Sequence, residues 1–391
     1  MKFLSWVFKI GAGLMFLVLI AFFAVAPGIT DNRMNKVAEH APVHVSQQAE
    51  ALHASMTIGD WHSDSLLWKR NLLQKNTRGH VDFPRLVEGN VAVQVFAAVT
   101  KSPAGQNYEA NSSDAADRIT WLAIGQLWPL KSWDSLFERA QYQALRMAHY
   151  ARKAPDQVAL ITTASDLSTL LDRRKNGETV VGAVLALEGA HPLEGDLDKL
   201  DSLFESGYRV AGITHFFDNE LGGSLHGISR GGLTEFGERA VDKMGTLEMI
   251  VDLAHASPEV ARQVLARTTR PVVVSHTGIH SHCQVRRNFK DPLMREIAAN
   301  GGLVGIGYWA NATCDITFEG VAAAIKAAVD LLGEDHVSLG SDFDGTVTTS
   351  FDTSELAGLT QALMDTGLSN AQIAKVMGGN MMRFLAENLP Q

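Results

Sequence analysis

The chain has 391 residues, of which 46% are hydrophobic and 20% charged, with a formal net charge of −9. That balance suits a large buried core, in one large domain or two smaller ones, and it lacks the basic surplus of a nucleic-acid binder, so no nucleic-acid partner is expected. Two cysteines, Cys283 and Cys314, are too few for a Cys-rich zinc module or a disulfide framework.

The N-terminal segment stands apart. Lys2 and Lys9 precede a run from Ile10 to Ile29 without a charged residue, long enough to cross a bilayer as a helix. Ala24-Val25-Ala26 resembles a signal-peptidase site, but Pro27 follows directly, and the run exceeds a usual signal core. Residues 1–30 therefore read as a retained transmembrane helix rather than a removed signal. Lysines before the span point to a cytoplasmic N-terminus and a periplasmic or extracellular body. Residues 31–55 read as a linker and a leading helix, and residues 56–391 as the main folded domain. The polar C-terminus, Glu387 to Gln391, carries no lipid-anchor signal.

In the body, an apolar run Met56–Gly59 closes on Asp60-Trp61-His62-Ser63-Asp64, with a helix-like segment Leu66–Leu73 behind it. Further strands are expected at Val91–Val99, Val180–Leu187, Arg209–Thr214, Met249–Leu253, Pro271–Val274, Gly302–Tyr308 and Val337–Gly340. Helical periodicity fills most gaps, as at Leu233–Met244, Pro258–Ala266 and Val321–Leu332. Continuous apolar strands alternating with helices indicate a parallel sheet. Eight such units suggest a closed (β/α)8 TIM-type barrel with insertions, and a doubly wound open sheet is the rival. The longest insertion, about residues 100–178, opens with a polar stretch Gly105–Asp117 that reads as a surface loop or lid; Trp121–Ala151 behind it reads as helical.

Residues with metal-binding chemistry end these strands: His62 and Asp64, Glu188, His215, His255, His276 and Asp342. A strand end directs alternate side chains to one face, so His62 and Asp64 point together. A barrel would bring all seven groups to its C-terminal mouth. Carboxylates buried together need cations, and this set exceeds the needs of one tetrahedral zinc. Two Zn2+ ions about 3.5 Å apart, sharing one carboxylate, would fit. Blander roles exist: Asp64 as a helix cap, Glu188 as a loop carboxylate, His215 as a packed core histidine, His255 and His276 as backbone-bonded rings. Asp60 and Asp344 read as structural, and His40, His44 and His53 as surface or linker histidines.

These stretches resemble the membrane dipeptidase (renal dipeptidase) family. The likeness covers about Ser55 to Leu389 and rests on an ordered set of motifs: Asp60-Trp61-His62-Ser63-Asp64, His80-Val81-Asp82-Phe83-Pro84-Arg85, Leu187-Glu188-Gly189, Ile213-Thr214-His215, Leu233-Thr234, Asp252-Leu253-Ala254-His255, Ser275-His276, Arg286-Arg287-Asn288, Gly340-Ser341-Asp342-Phe343-Asp344-Gly345 and Gly378-Gly379-Asn380. The resemblance implies a barrel zinc dipeptidase. His62 and Asp64 would bind one zinc, Glu188 would bridge both, and His255 and His276 would complete the second site. His215 would bind the scissile carbonyl, Asp342 would handle protons for a metal-bridging hydroxide, and Arg287, beside Arg286, would hold the substrate's terminal carboxylate. Dipeptides, including those with a C-terminal D-residue, would be the substrates, and a homodimer is possible. Trp61, Ser63 and Ala254 depart from the family's usual residues, but none is a ligand. Cys283 and Cys314 fall where animal relatives carry a disulfide, and in an oxidising compartment they would pair. Two other readings stay open: a binuclear hydrolase of lactones or cyclic amides, and a non-catalytic surface binding module.

Overall fold

The computed structural model describes residues 2–391; Met1, within the expected span, lies outside the described residues. Eight parallel strands form the body: β1 (Ile58–Asp60), β2 (Val91–Ala98), β3 (Val181–Leu187), β4 (Tyr208–Gly212), β5 (Ile250–Asp252), β6 (Val273–Thr277), β7 (Leu303–Ile306) and β8 (Val337–Leu339). Each pairs with the next, and β8 returns to β1 through Leu339 opposite Asp60, which closes the barrel and excludes the open sheet. An unforeseen strand, Val158–Leu160, adds to the start of β3 on the flank that β4 takes up further along.

Strand parity builds both faces. Val93, Val95, Val184, Ala186, Val210 and Ile250 belong to one cluster drawn from strands around the ring, so they meet inside the barrel. Phe96, Ala98, Leu185 and Leu187, on the opposite parity, join the larger layer packed under the helices. Buried on both faces, these strands need the near-continuous apolar runs seen in the sequence. Helices follow where a cap precedes an amphipathic stretch. Ser257 accepts from the Val260 amide at the start of Pro258–Arg267, and Thr234 from the Gly237 amide at Glu235–Thr246.

Three local expectations change. Leu66–Leu73 forms no helix beyond the tight turn Ser65–Leu67. The carbonyls of Leu66, Trp68 and Arg70 bond instead to Arg146 on a distant helix, so a local ladder gives way to a tertiary one. Trp121–Ala151 is two helices, Arg118–Gly125 and Leu136–Lys153, broken over a stretch that contains Pro129. Buried Arg139 ties that break together through the Ser132, Trp133 and Thr100 carbonyls. His53, expected as a surface or linker histidine, lies in the leading helix and is buried, between the Thr360 hydroxyl and the Gly89 carbonyl.

The N-terminal helix runs unbroken from Lys2 to Met34 and includes Pro27. It is long and apolar enough to cross a membrane, as an anchor or a signal sequence would be. Asn35 leads into a two-residue strand, Lys36–Val37, paired with Thr348–Thr349, and the leading helix is Gln47–Ser55.

Candidate metal centre

At the C-terminal mouth of the barrel the interior row of each strand runs on into polar residues. Val184 and Ala186 face inward and Glu188 continues their row one step past β3. Gly189 turns the chain away with φ 80°; a Cβ there would stand 2.4 Å from the His191 ring, so glycine is required. His255 and Asp342 hold left-handed backbone at φ 66° and 60°, a strained conformation for non-glycine residues that is characteristic of functional sites.

All seven strand-end groups come together, and Glu188 is their centre. Its Oε1 lies 3.5, 3.4, 3.2 and 3.5 Å from Nε2 of His62, His215, His255 and His276. His62 Nε2 is also 3.4 Å from Asp64 Oδ1 and 3.9 Å from Asp342 Oδ1. Three overlapping sets are close enough to share an ion: His62 with Asp64 and Glu188; Glu188 with His215 and His255; and His62 with His276 and Asp342. Asp64 makes no capping bond to the turn behind it, which leaves its carboxylate for the cluster.

The surrounding bonds aim bare nitrogens inward. The Ser275 hydroxyl donates to Asp252 Oδ2 at 2.5 Å, so it accepts from His276 Nδ1 at 2.9 Å. That leaves His276 Nε2 without a proton, 2.8 Å from His255 Nε2. His62 Nδ1 lies 3.3 Å from the same hydroxyl. His62 Nε2, Asp64 Oδ1 and Glu188 Oε2 are buried without a hydrogen-bond partner among the described residues. Buried polar atoms are rarely left so; a donor set of close, bare nitrogens and carboxylate oxygens fits cations.

The charges agree. Burial, with the Glu188 charge added, lifts Asp64 to about 6. Burial also lifts Asp342 well above the carboxylate range, with Asp64 and Glu188 adding to it against the pull of His62. Glu188 itself is held well below its usual value, because His215 and His62 outweigh burial. Burial and then the Arg287 charge keep His255 neutral; burial and then His62 do the same for His276. Carboxylates that hold protons so far above their usual range are those a bound cation would relieve.

A cavity of about 290 Å³ opens on this cluster, lined by Asp64, Glu188, His215, His255, Arg287 and Asp342 among others. Arg287 is buried, donates to the His276 carbonyl and lies 5.6 Å from the Trp309 ring. Arg286 faces out to Glu109 at 2.8 Å. The segment Gly105–Asp117 covers this mouth and contributes Tyr108, whose hydroxyl accepts from Trp309 Nε1 at 2.9 Å. Cys283 and Cys314 form a disulfide that pins the loop bearing both arginines.

Asp252 and Ser275 stood in the sequence motifs without a role, and Tyr108 was not singled out. Asp252 and Ser275 share the inward parity of Ile250 and Val273, a signal available in the strand pattern; Tyr108 sits in an irregular loop that carries no periodic signal. Asp60 and Asp344 act structurally. Asp60 accepts from the amides of His62 and Ser341, across the seam between β1 and β8.

The fold and this cluster define a barrel enzyme built to hold metal ions at its C-terminal mouth. The description "Membrane dipeptidase (Peptidase family M19)" matches residues 46–389, and the chain belongs to that family. It is a metal-dependent dipeptidase. Dipeptidase aclJ of Aspergillus oryzae is 28% identical over 360 residues, 86% of this chain and 79% of the relative. Dipeptidase verJ of Clonostachys rogersoniana is 26% identical, over 78% of this chain and 82% of its own. Among solved structures, the probable dipeptidase PvdM from Pseudomonas aeruginosa superposes with a TM-score of 0.71 at 22% identity, over 88% of this chain and 98% of that one. A metallo peptidase from Rhodobacter sphaeroides, bound to a phosphinate mimic of L-Ala-D-Ala, has a TM-score of 0.68 at 24% identity, over 85% and 99%.

Proposed function

We propose that this chain hydrolyses dipeptides, those with a C-terminal D-residue included, using two zinc ions held by His62, Asp64, Glu188, His255 and His276. The observation that carries the reading is the convergence of four imidazole nitrogens on Glu188 Oε1, at 3.2 to 3.5 Å, in one cavity with a buried arginine. Zinc bound there supplies Lewis acidity and lowers the pKa of a bound water toward neutrality.

The remaining steps belong to side chains. Asp342 takes the proton of the attacking water on its carboxylate and returns it to the leaving amine. His215 hydrogen-bonds the scissile carbonyl from Nε2 while Nδ1 is held by the Lys101 carbonyl at 3.3 Å. Arg287 binds the free carboxylate of the substrate with its guanidinium. A cavity of about 290 Å³ lies at the small end of ligand sites, which suits two residues rather than a longer peptide. The mimic of L-Ala-D-Ala held by the Rhodobacter sphaeroides protein supports including substrates with a C-terminal D-residue.

The N-terminal helix serves as a retained anchor, with the catalytic body outside the cytoplasm. The Cys283–Cys314 disulfide supports that side, since such bonds persist in oxidising compartments. The test is hydrolysis of an L-L, L-D and Gly-D dipeptide panel after chelation and again after zinc is restored. Zinc-dependent cleavage that includes L-D substrates is the expected result. Tight zinc binding without cleavage of any dipeptide would refute the substrate assignment.

A further inference from the structure

One face of the body is apolar where a solvated surface would be polar. The helix Arg118–Gly125 exposes Trp121 to 73%, and the loop after it exposes Leu127 to 58% and Leu130 to 73%. Leu127 takes left-handed backbone, φ 57°, and is turned outward while its neighbour Trp128 is buried. A leucine held in that conformation to face solvent is a cost without a return unless something covers it.

The N-terminal helix lies directly beside this patch. The Phe22 ring stands 3.9 Å from where a side chain at Gly125 would begin, and Lys69 Nζ donates to the Phe23 carbonyl at 3.3 Å. Beyond Phe23 one side of the helix is packed onto the body, while Val25 and Ile29 stay half exposed. Buried Asp31 pairs with Arg70 at 3.1 Å and Arg78 at 2.9 Å, and Asn35 accepts from the Thr346 amide at 3.0 Å. Docked through Asp31 and Asn35, the helix holds its direction relative to the barrel. The charge-free part of the helix runs from Ile10 to Ile29. At 1.5 Å per residue it spans about 30 Å, one hydrocarbon thickness. Phe22 lies about 10 Å inside the outer end of that run, so Trp121 and Gly125 beside it reach the depth of an interfacial segment.

We propose that Trp121, Leu127 and Leu130, flanked by Lys69 and Lys131, form a second membrane contact that rests in the interfacial layer of the bilayer the helix crosses. The inference rests on the anchor reading above. Tryptophan and leucine with flanking lysines are the composition of that layer, the ammonium groups reaching the headgroup phosphates. The contact also orients the enzyme. A cavity of about 350 Å³ between the helix and the body shares Met34, Leu67, Ser102, Arg118 and Ile119 with the metal-centre cavity. The active-site mouth is thus bounded by the end of the anchor and opens at the membrane surface, where substrates are met among the headgroups.

The experiment uses the full chain in vesicles of phosphatidylethanolamine and phosphatidylglycerol. Both native cysteines are in the disulfide, so Leu130→Cys, Leu127→Cys and Phe16→Cys each take one environment-sensitive fluorophore. Lipids brominated near the headgroup end of their acyl chains should remove roughly half of the emission at positions 127 and 130, and lipids brominated deep in the chain should quench position 16. A label at 127 or 130 that bromolipids leave bright and aqueous iodide quenches, with position 16 still quenched by lipid, would overturn the contact and leave the anchor standing. No lipid quenching at any of the three positions would overturn the contact together with the anchor. Shielding from iodide without quenching by bromolipid would mean that a second protein copy covers the patch, and would also overturn the proposal.

Discussion

Asp344 offers the sharpest test of how the metal-centre loops are held. It sits two residues beyond Asp342 and is completely buried, as is its partner Arg70. One carboxylate oxygen faces Arg70 Nη2 at 2.7 Å and the Ser65 hydroxyl at 2.5 Å; the other accepts from the His80 amide at 2.7 Å. The group therefore ties the loop after β8 to the loop after β1, which carries Asp64. Asp344→Asn keeps the volume but turns an NH2 toward donors on one side and leaves Arg70 with Asp31 as its remaining carboxylate. Breaking a buried pair from one side costs about 3–5 kcal/mol, which lowers the melting temperature by on the order of 5 °C or more. Adding Arg70→Met should recover part of the loss, because the stranded charge goes with it. The pH dependence has a fixed sign. Burial alone would raise the pKa of Asp344, but Arg70 and His80 outweigh it and hold the carboxyl below the usual range. A depressed folded pKa contributes stability above the unfolded value near 3.8 and loses it as the group protonates. The gap between wild type and Asp344→Asn in urea denaturation, followed by tryptophan fluorescence, should therefore be constant from about pH 5 to 8 and narrow below about pH 4. A difference under about 1 kcal/mol at neutral pH, or one that does not narrow in acid, would refute the reasoning.

Glu188→Gln should abolish hydrolysis and lower bound zinc, measured by elemental analysis; full activity with normal zinc would rule out a bridging carboxylate. Arg287→Ala should raise KM for dipeptides roughly ten- to hundredfold, the worth of a charge-assisted bond. A lactone or cyclic amide without a free carboxylate would not register that change, and unchanged dipeptide KM would remove Arg287 from substrate binding. Arg286→Ala, facing Glu109 at the surface, should leave KM within about twofold. Cys283→Ser with Cys314→Ser opens a link across 31 residues and should cost roughly 3–4 kcal/mol. Its thermal midpoint falls accordingly, and an unchanged midpoint would show that the bond does not constrain the fold.

The eight strands and the residues that end them were legible because both depend on local order. An apolar run of the right length makes a buried strand, and alternation along it assigns Glu188 to the same side as Val184 and Ala186 before any partner is known. Helical periodicity did the same for Leu233–Met244 and Pro258–Ala266, which fold as Glu235–Thr246 and Pro258–Arg267. What only the tertiary structure decided depends on residues far apart in the chain. Closure of the barrel needed Leu339 to meet Asp60. That Arg286 faces out while Arg287 is buried was set by Glu109 and Trp309, each on another loop. The segment Leu66–Leu73 lost its helix to carbonyl bonds from Arg146, an interaction no local pattern records. The N-terminal helix announced its length and apolarity in the sequence, yet its docking through Asp31 to Arg70 and Arg78 came from pairs some forty residues apart. Periodicity states which side of an element is buried, and only packing states against what.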